Sequence, residues 1–240
     1  MRQLFQRLRR AYFTPKKGMF RAYHGINTFV APADLELYRS LLPEAFSMPE
    51  KPQVLLFVVN YTKVVPWPMT PYLEASVVLV SSHAGQEGWH VLTMPVSEQV
   101  PMEGGRAMGF PKYVADEIRL DEVGEGWQGE ERHEGASRLR LEFTPGLTRE
   151  LEPWEKEMWD DPAFFRGECH LLLPPGEGPD KMRITFDHRV PPRWAPTMGM
   201  VEVTVNSEMP WAGLVPPGTS ALGSFNRFVG GTNLVAERMV

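Results

Sequence analysis

Cysteine is almost missing from this chain. Cys169 stands alone in 240 residues, so no intramolecular disulfide can form, and a reducing, cytoplasmic setting is expected. Long apolar runs are missing too: none approaches the ~20 residues that a membrane-spanning helix needs, and no membrane partner is expected. No excess of basic charge exists either, since the formal net charge is −5, and nucleic acid is not expected as a partner. The six histidines show no His-x-x-x-His spacing, and one cysteine cannot make Cys-x-x-Cys. The adjacent pairs Cys169-His170 and Asp187-His188 would point to opposite faces of a strand, so no metal site is expected. Gly-x-Gly-x-x-Gly and Gly-Lys-Ser/Thr are absent, which removes the common dinucleotide and phosphate loops, and no cofactor is called for. Gly-x-Ser-x-Gly is absent as well, which removes the commonest serine hydrolase. No internal repeat or linker divides the chain, so residues 1–240 are read as one domain.

What the chain has in quantity is turn chemistry. Its 23 prolines and 21 glycines recur along the whole length, which argues for many strands rather than a helix bundle. Residues 11–32 read as an entry segment with short extended pieces. Asp34 to Leu42 reads as a helix with Asp34 at its N-cap and Pro43 as its stop. Gln53–Val59 is an almost continuous apolar run, the mark of a buried strand, and Tyr72–Val80 and His90–Val96 follow as strands. Asp116–Leu120, Arg138–Phe143, His170–Leu173, Met182–Asp187 and Val201–Asn206 continue the pattern. Gly124–Gly135 reads as a polar connection forming a mobile hairpin loop, Pro153–Trp159 as a short helix, and Ser220–Val240 as helical pieces split at Gly230-Gly231. The fold expected is mainly β (α+β): one closed or nearly closed antiparallel β-barrel with a few flanking helices. Charge is uneven, because the first 33 residues hold seven Lys or Arg and no acid, leaving 18 basic against 30 acidic residues. Met1–Arg10 has the pattern of a short basic helix, too broken for the apolar region of a secretory signal. It is expected to pack on the acidic remainder or on a neighbouring subunit, with a membrane-surface or transit role as the lesser alternative.

One stretch stands apart chemically: Glu103-Gly104-Gly105-Arg106-Ala107-Met108-Gly109-Phe110-Pro111-Lys112-Tyr113. Glycines and a proline predict a shaped loop that delivers Lys112 from an apolar setting made by Met108, Phe110 and Tyr113. Burial disfavours an ammonium and favours a nucleophilic amine, which can attack a ketone and form an imine. Composition alone reads Lys112 equally as a surface lysine lying along apolar neighbours. Arg106 is a candidate cation beside the amine or on a substrate carboxylate. Glu98 lies near enough in sequence to reach the same pocket. On the strand starting at Tyr72, Glu74 shares a face with Ser76 and Val78, opposite the apolar Leu73, Ala75 and Val77. Period alone turns Glu74 to solvent; a barrel lumen would instead take it inside.

The lysine segment resembles the active-site segment of the acetoacetate decarboxylase family, which runs Gly-Arg-Glu, three variable residues, then aromatic-Pro-Lys-Lys. Gly104, Phe110, Pro111 and Lys112 match it without a gap. Tyr72-Leu73-Glu74 is similar to that family's Tyr-x-Glu, and Leu42-Pro43-Glu44 to its Val-Pro-Glu, so the resemblance spans about residues 20–120. It implies a Schiff-base lyase acting on a small oxo acid, with Lys112 as the imine lysine and Glu74 as the carboxylate that handles protons. It also implies a homo-oligomer. Lysine activation by desolvation or a nearby cation is that family's known device, and the resemblance implies it for Lys112. The departures are Tyr113 for the second lysine, Gly105-Arg106 for Arg-Glu, no arginine between Arg21 and Arg39, and no acid between Glu50 and Glu74. They leave a pyruvate-type aldolase-dehydratase of the same superfamily open beside decarboxylation, and a non-catalytic barrel binding a small acidic or apolar ligand beside both.

Overall fold

The computed structural model describes residues 19–65, 71–107, 109–160, 168–171, 182–187, 193–194 and 196–238. The basic N-terminal decapeptide and Met108 lie outside these. Seven strands close a hydrogen-bonded circuit: β1 (Met19–Val30), β2 (Val54–Val65), β3 (Tyr72–His83), β4 (Gln86–Val96), β9 (Glu168–Leu171), β10 (Met182–Asp187) and β13 (Thr219–Arg238), with β13 returning to β1. All joints in the ring are antiparallel except β4–β9, which pairs in parallel through Trp89 and His90. The 20-residue β13 is longer than its neighbours, and its first part carries a second layer in the order β12 (Thr197–Val205), β8 (Ala136–Pro145), β7 (Gly126–His133), β6 (Glu117–Val123). The short strands β5 (Lys112–Val114) and β11 (Arg193–Trp194) attach to β4 and β13.

The alternation of side chains explains why two layers form. Ile26, Leu56, Val58, Ala75, Val77 and Leu79 point out of the ring into one buried cluster with Leu139, Leu141, Phe143, Val201 and Val203 of the second layer. Fully burying each Val, Leu, Ile or Phe of this set contributes about 1.5–3 kcal/mol, and neither layer could hide its apolar face alone. At Gly129 of β7 the layers touch so closely that a Cβ would lie 2.7 Å from Val58 Cβ. Two hairpins of this core turn on two residues with positive φ, Ala84-Gly85 and Glu134-Gly135, the conformation that tight hairpins need.

Most expected elements form, with longer bounds. Asp34 does cap α1 (Leu35–Leu41), its Oδ1 accepting from the N–H groups of Glu36 and Leu37 at 2.9 and 2.8 Å. The helix α3 (Pro153–Asp160) also forms where expected. Three expectations are corrected. Within the segment 11–32, the described residues 19–30 are the single strand β1, paired on both edges, and not short pieces. Gly124–Gly135 is no mobile loop: tight turns at both ends enclose β7, whose alternating Glu131 and Gly129 face the ring. The tail is one strand rather than helical pieces, because Gly230-Gly231 pairs with Phe20 and Arg21 across β1 and strand pairing absorbs the glycines. Among the described residues no helix is long and apolar enough to cross a membrane.

Candidate active site

The residues before Lys112 form a helix, α2 (Gln99–Ala107), where the sequence suggested a loop. Pro101 sits in its first turn, where a missing N–H costs nothing. Its end is shaped by Gly109, whose φ of 92° takes the left-handed conformation. There Gly109 N–H donates to the Arg106 carbonyl and Phe110 N–H to the Gly105 carbonyl, both at 3.0 Å, a Schellman closure. Pro111 then folds a three-residue turn in which Lys112 N–H donates to the Phe110 carbonyl at 2.8 Å. Lys112 continues into β5, in register with Met94 and thereby beside β4. Arg106 Nε donates to the Lys112 carbonyl at 2.5 Å, so the lysine backbone is held on both sides.

The side chain of Lys112 then runs back over the helix. A Cβ on Gly105 would lie 2.3 Å from Lys112 Cδ and 2.6 Å from Cε, so the glycine opens the channel in which the stem lies. The amine meets the carboxylate of Glu74, Nζ donating to Oε2, with Lys112 7% exposed and Glu74 3%. Phe110 and Tyr72 flank the amine, their ring centres 5.9 and 5.7 Å from Nζ. Glu74 is delivered by β3, opposite Val59 of β2 and Val96 of β4. The solvent-facing alternative for Glu74 fails because the second layer covers the other face of β3, leaving Glu74 inside the ring.

The ring interior continues past this pair. Tyr61 stacks on Tyr72 at 4.9 Å, Tyr23 tilts against Tyr61 at 5.4 Å, and Phe228 stacks on Tyr23 at 4.9 Å. Arg21 follows on the same face of β1, its guanidinium carbon 6.0 Å from the Tyr23 ring centre. Sequence reasoning looked for an arginine after Arg21 and passed over Arg21 itself. The signal was the alternation Arg21-x-Tyr23-x-Gly25, unreadable until β13 identified which face of β1 is enclosed. Burial pushes the Tyr23 phenol above its ordinary value, against the opposing pull of Arg21.

The other expected site residues are dispersed. Phe110 is buried beside the amine, as the apolar setting required. Arg106 is exposed and its described bond is to the Lys112 backbone, so it anchors the strand. Glu98 is exposed at the start of α2, where its carbonyl accepts from Met102 N–H at 3.3 Å. Tyr113, next to Lys112 in an extended strand, points to the opposite face, where its hydroxyl meets Glu131 Oε1 at 3.2 Å. Met108 lies outside the described residues. Among the described residues no group of three His, Cys, Asp or Glu side chains could hold a metal ion.

A buried ion pair is weak evidence of stability, because desolvating both charges offsets their attraction. What the arrangement offers is chemistry: a primary amine, a carboxylate in proton-transfer contact with it, and aromatic walls that exclude water.

Residues 12–166 match the family described as acetoacetate decarboxylase. No curated protein matches the sequence. Among solved structures, the chain is similar to acetoacetate decarboxylase from Legionella pneumophila, with 16% identity, 95% of this chain and 89% of that one covered, and a TM-score of 0.67. A second acetoacetate decarboxylase structure gives 13% identity, coverage of 95% and 91%, and a TM-score of 0.69. The enduracididine biosynthesis enzyme MppR complexed with pyruvate gives 15% identity, coverage of 92% and 89%, and a TM-score of 0.66. These likenesses establish the shared fold.

Proposed function

The chain belongs to the acetoacetate decarboxylase family, and from that premise we propose that Lys112 forms an imine with a small oxo acid and that the imine drives loss of carbon dioxide. The observation that carries the reading is the enclosed Lys112–Glu74 pair between Tyr72 and Phe110. Glu74 takes a proton from the ammonium, and the freed lone pair of Nζ attacks the ketone carbon. The carbonyl oxygen takes one proton from the attacking nitrogen and one from solvent and leaves as water, which leaves a protonated imine with Glu74 still protonated. The bond between the substrate carboxylate and the adjacent carbon then breaks. Its electron pair moves through that carbon into the C=N bond, so carbon dioxide departs and an enamine remains. Glu74, now a carboxylic acid, returns its proton to the enamine carbon, and water hydrolyses the iminium to free the ketone and the amine. The apolar walls favour neutral carbon dioxide over the charged carboxylate. Arg21, on the same inner face beyond the tyrosines, is the cation we assign to the incoming carboxylate.

A second reading shares every step to the imine. The similarity to MppR, solved with pyruvate and with a condensation product of pyruvate and an aldehyde, supports an enamine that attacks an aldehyde instead of taking a proton. We further propose a homo-oligomer, as the family suggests, in a reducing, cytoplasmic setting in keeping with the lone Cys169.

The test is borohydride trapping with acetoacetate, pyruvate and larger oxo acids, read by peptide mass spectrometry, with evolved carbon dioxide recorded alongside. A ketone-dependent adduct on Lys112, absent in Lys112→Ala, is expected. Carbon dioxide release identifies the decarboxylase, and an adduct without it identifies the aldolase. No adduct with any oxo acid on folded protein overturns imine chemistry and leaves a ligand-binding barrel.

A further inference from the structure

Behind the Lys112–Glu74 pair, on the outer face of the same strands, lies a cavity of about 210 Å³ between the ring and the second layer. It is separate from the imine site, because Tyr113 follows Lys112 and Ala75 follows Glu74, and successive residues of a strand face opposite ways. Its volume is below the roughly 300–1,000 Å³ of pockets for drug-sized ligands, so an occupant is small. Val77, Leu92, Leu139, Met209 and Trp211 make one part of the wall, an apolar surface. Tyr113, Glu131 and Arg138 make the polar part.

The polar part holds opposite charges side by side without pairing them. Glu131 Oε1 and Arg138 Nη1 lie 3.2 and 3.4 Å from the same Tyr113 hydroxyl. The ion pair of Arg138 is made outward, Nη2 reaching exposed Glu134 at 2.5 Å. Glu131 is only 2% exposed, yet Tyr113 is its one described hydrogen-bond partner. A carboxylate accepts about four hydrogen bonds and a guanidinium donates five, so both groups, which line the cavity, retain hydrogen-bonding capacity. A buried carboxylate calls for a cationic N–H donor, and the guanidinium beside it calls for an anion. The two demands, a few ångströms apart against an apolar wall, match one small molecule.

We infer that this cavity is a second ligand site, and that it takes a small zwitterion of the aliphatic α-amino acid class. The ammonium pairs with Glu131, the carboxylate with Arg138, and the side chain fills the space among Val77, Leu92 and Leu139. Burial pushes the Glu131 carboxyl up to about 7, against the pull of Tyr113 and Arg138. The site stands independently of the imine chemistry, so the test reads binding and not turnover.

The experiment is calorimetric titration of the full chain with four molecules that share one branched tail: L-leucine, 3-methylbutylamine, 4-methylpentanoate and 3-methylbutanol. Leucine is expected to saturate one site per chain, and each single-charge analogue to bind at least about tenfold more weakly, with the alcohol weakest. Glu131→Gln is expected to abolish the advantage of leucine over 4-methylpentanoate, and Arg138→Met its advantage over 3-methylbutylamine. Equal binding of leucine and either single-charge analogue to wild type overturns the zwitterion assignment. No saturable binding of leucine to wild type overturns the site altogether and leaves a cavity that holds water only. The wild-type panel decides even where a variant fails to fold.

Discussion

Replacing Gly105 by alanine separates the packing of the Lys112 stem from ordinary helix energetics by sign. In an exposed helix the change stabilises by about 1 kcal/mol, since glycine is the poorer helix former. Here the new methyl would lie 2.3 Å from Lys112 Cδ and 2.6 Å from Cε. Carbon atoms rest about 3.5–4.0 Å apart, so the lysine stem must retreat by more than about 1 Å. A misplacement of that size costs roughly 100-fold in rate, or about 2.7 kcal/mol of barrier. Stability suffers as well, because breaking a buried pair such as Lys112–Glu74 costs about 3–5 kcal/mol and outweighs the helix gain. Gly105→Ala is therefore expected to lose roughly 2–4 kcal/mol in urea unfolding and to slow borohydride trapping about 100-fold. In a Lys112→Ala background the stem is gone and the sign reverses: Gly105→Ala should then stabilise by about 1 kcal/mol. If Gly105→Ala stabilises in both backgrounds and traps at the wild-type rate, the stem does not lie in the channel described.

Two further outcomes follow from the charged groups outside the active site. Burial raises Glu131 to about 7, against the pull of Tyr113 and Arg138 and with a small push from Asp116. Between the ordinary carboxyl value and about 7 the native state keeps a proton that the unfolded chain has lost, so stability falls by about 3 kcal/mol as pH rises through that window. Glu131→Gln should remove this fall, and urea unfolding of both proteins from pH 5 to 8 checks it; a constant difference between them refutes it. At Glu155, 1% exposed, burial pushes the carboxyl up. The Arg149 fork at 2.6 and 2.6 Å and the N–H groups of Glu152 and Leu222 outweigh that and hold it below its ordinary value. Its contribution is thus complete above the unfolded carboxyl value and lost as pH falls through the lower native one. Arg149→Met should move that acid loss to higher pH, and Glu155→Ala should cost about 2–3 kcal/mol at neutral pH by leaving backbone donors unmet. Acid titrations followed by circular dichroism read both, and an unchanged acid midpoint in Arg149→Met would count against the clamp.

By itself the sequence determined what is local and periodic. Alternation and apolar runs marked the strands, Asp34 and Pro43 bounded a helix, and the Gly104–Lys112 segment with Tyr72-x-Glu74 pointed to the amine and its carboxylate. These are legible because strand period, capping and backbone-restricted residues act within a few positions. Tertiary structure alone decided which face of each strand is enclosed. Glu74 is inside the ring because a second layer, built from residues after 116, covers the other face of β3. Arg21 joins the same interior because β13, some 200 positions later, closes the ring on β1. Tyr113 is next to Lys112 in sequence, yet strand alternation turns it to the reverse side, into a cavity with Glu131 and Arg138. The glycines of α2 and β13 suggested loops and breaks, but packing overrode propensity: one opens a channel for a lysine stem, and two are absorbed by pairing along β1. A period of two names two faces, and only contacts far along the chain choose between them.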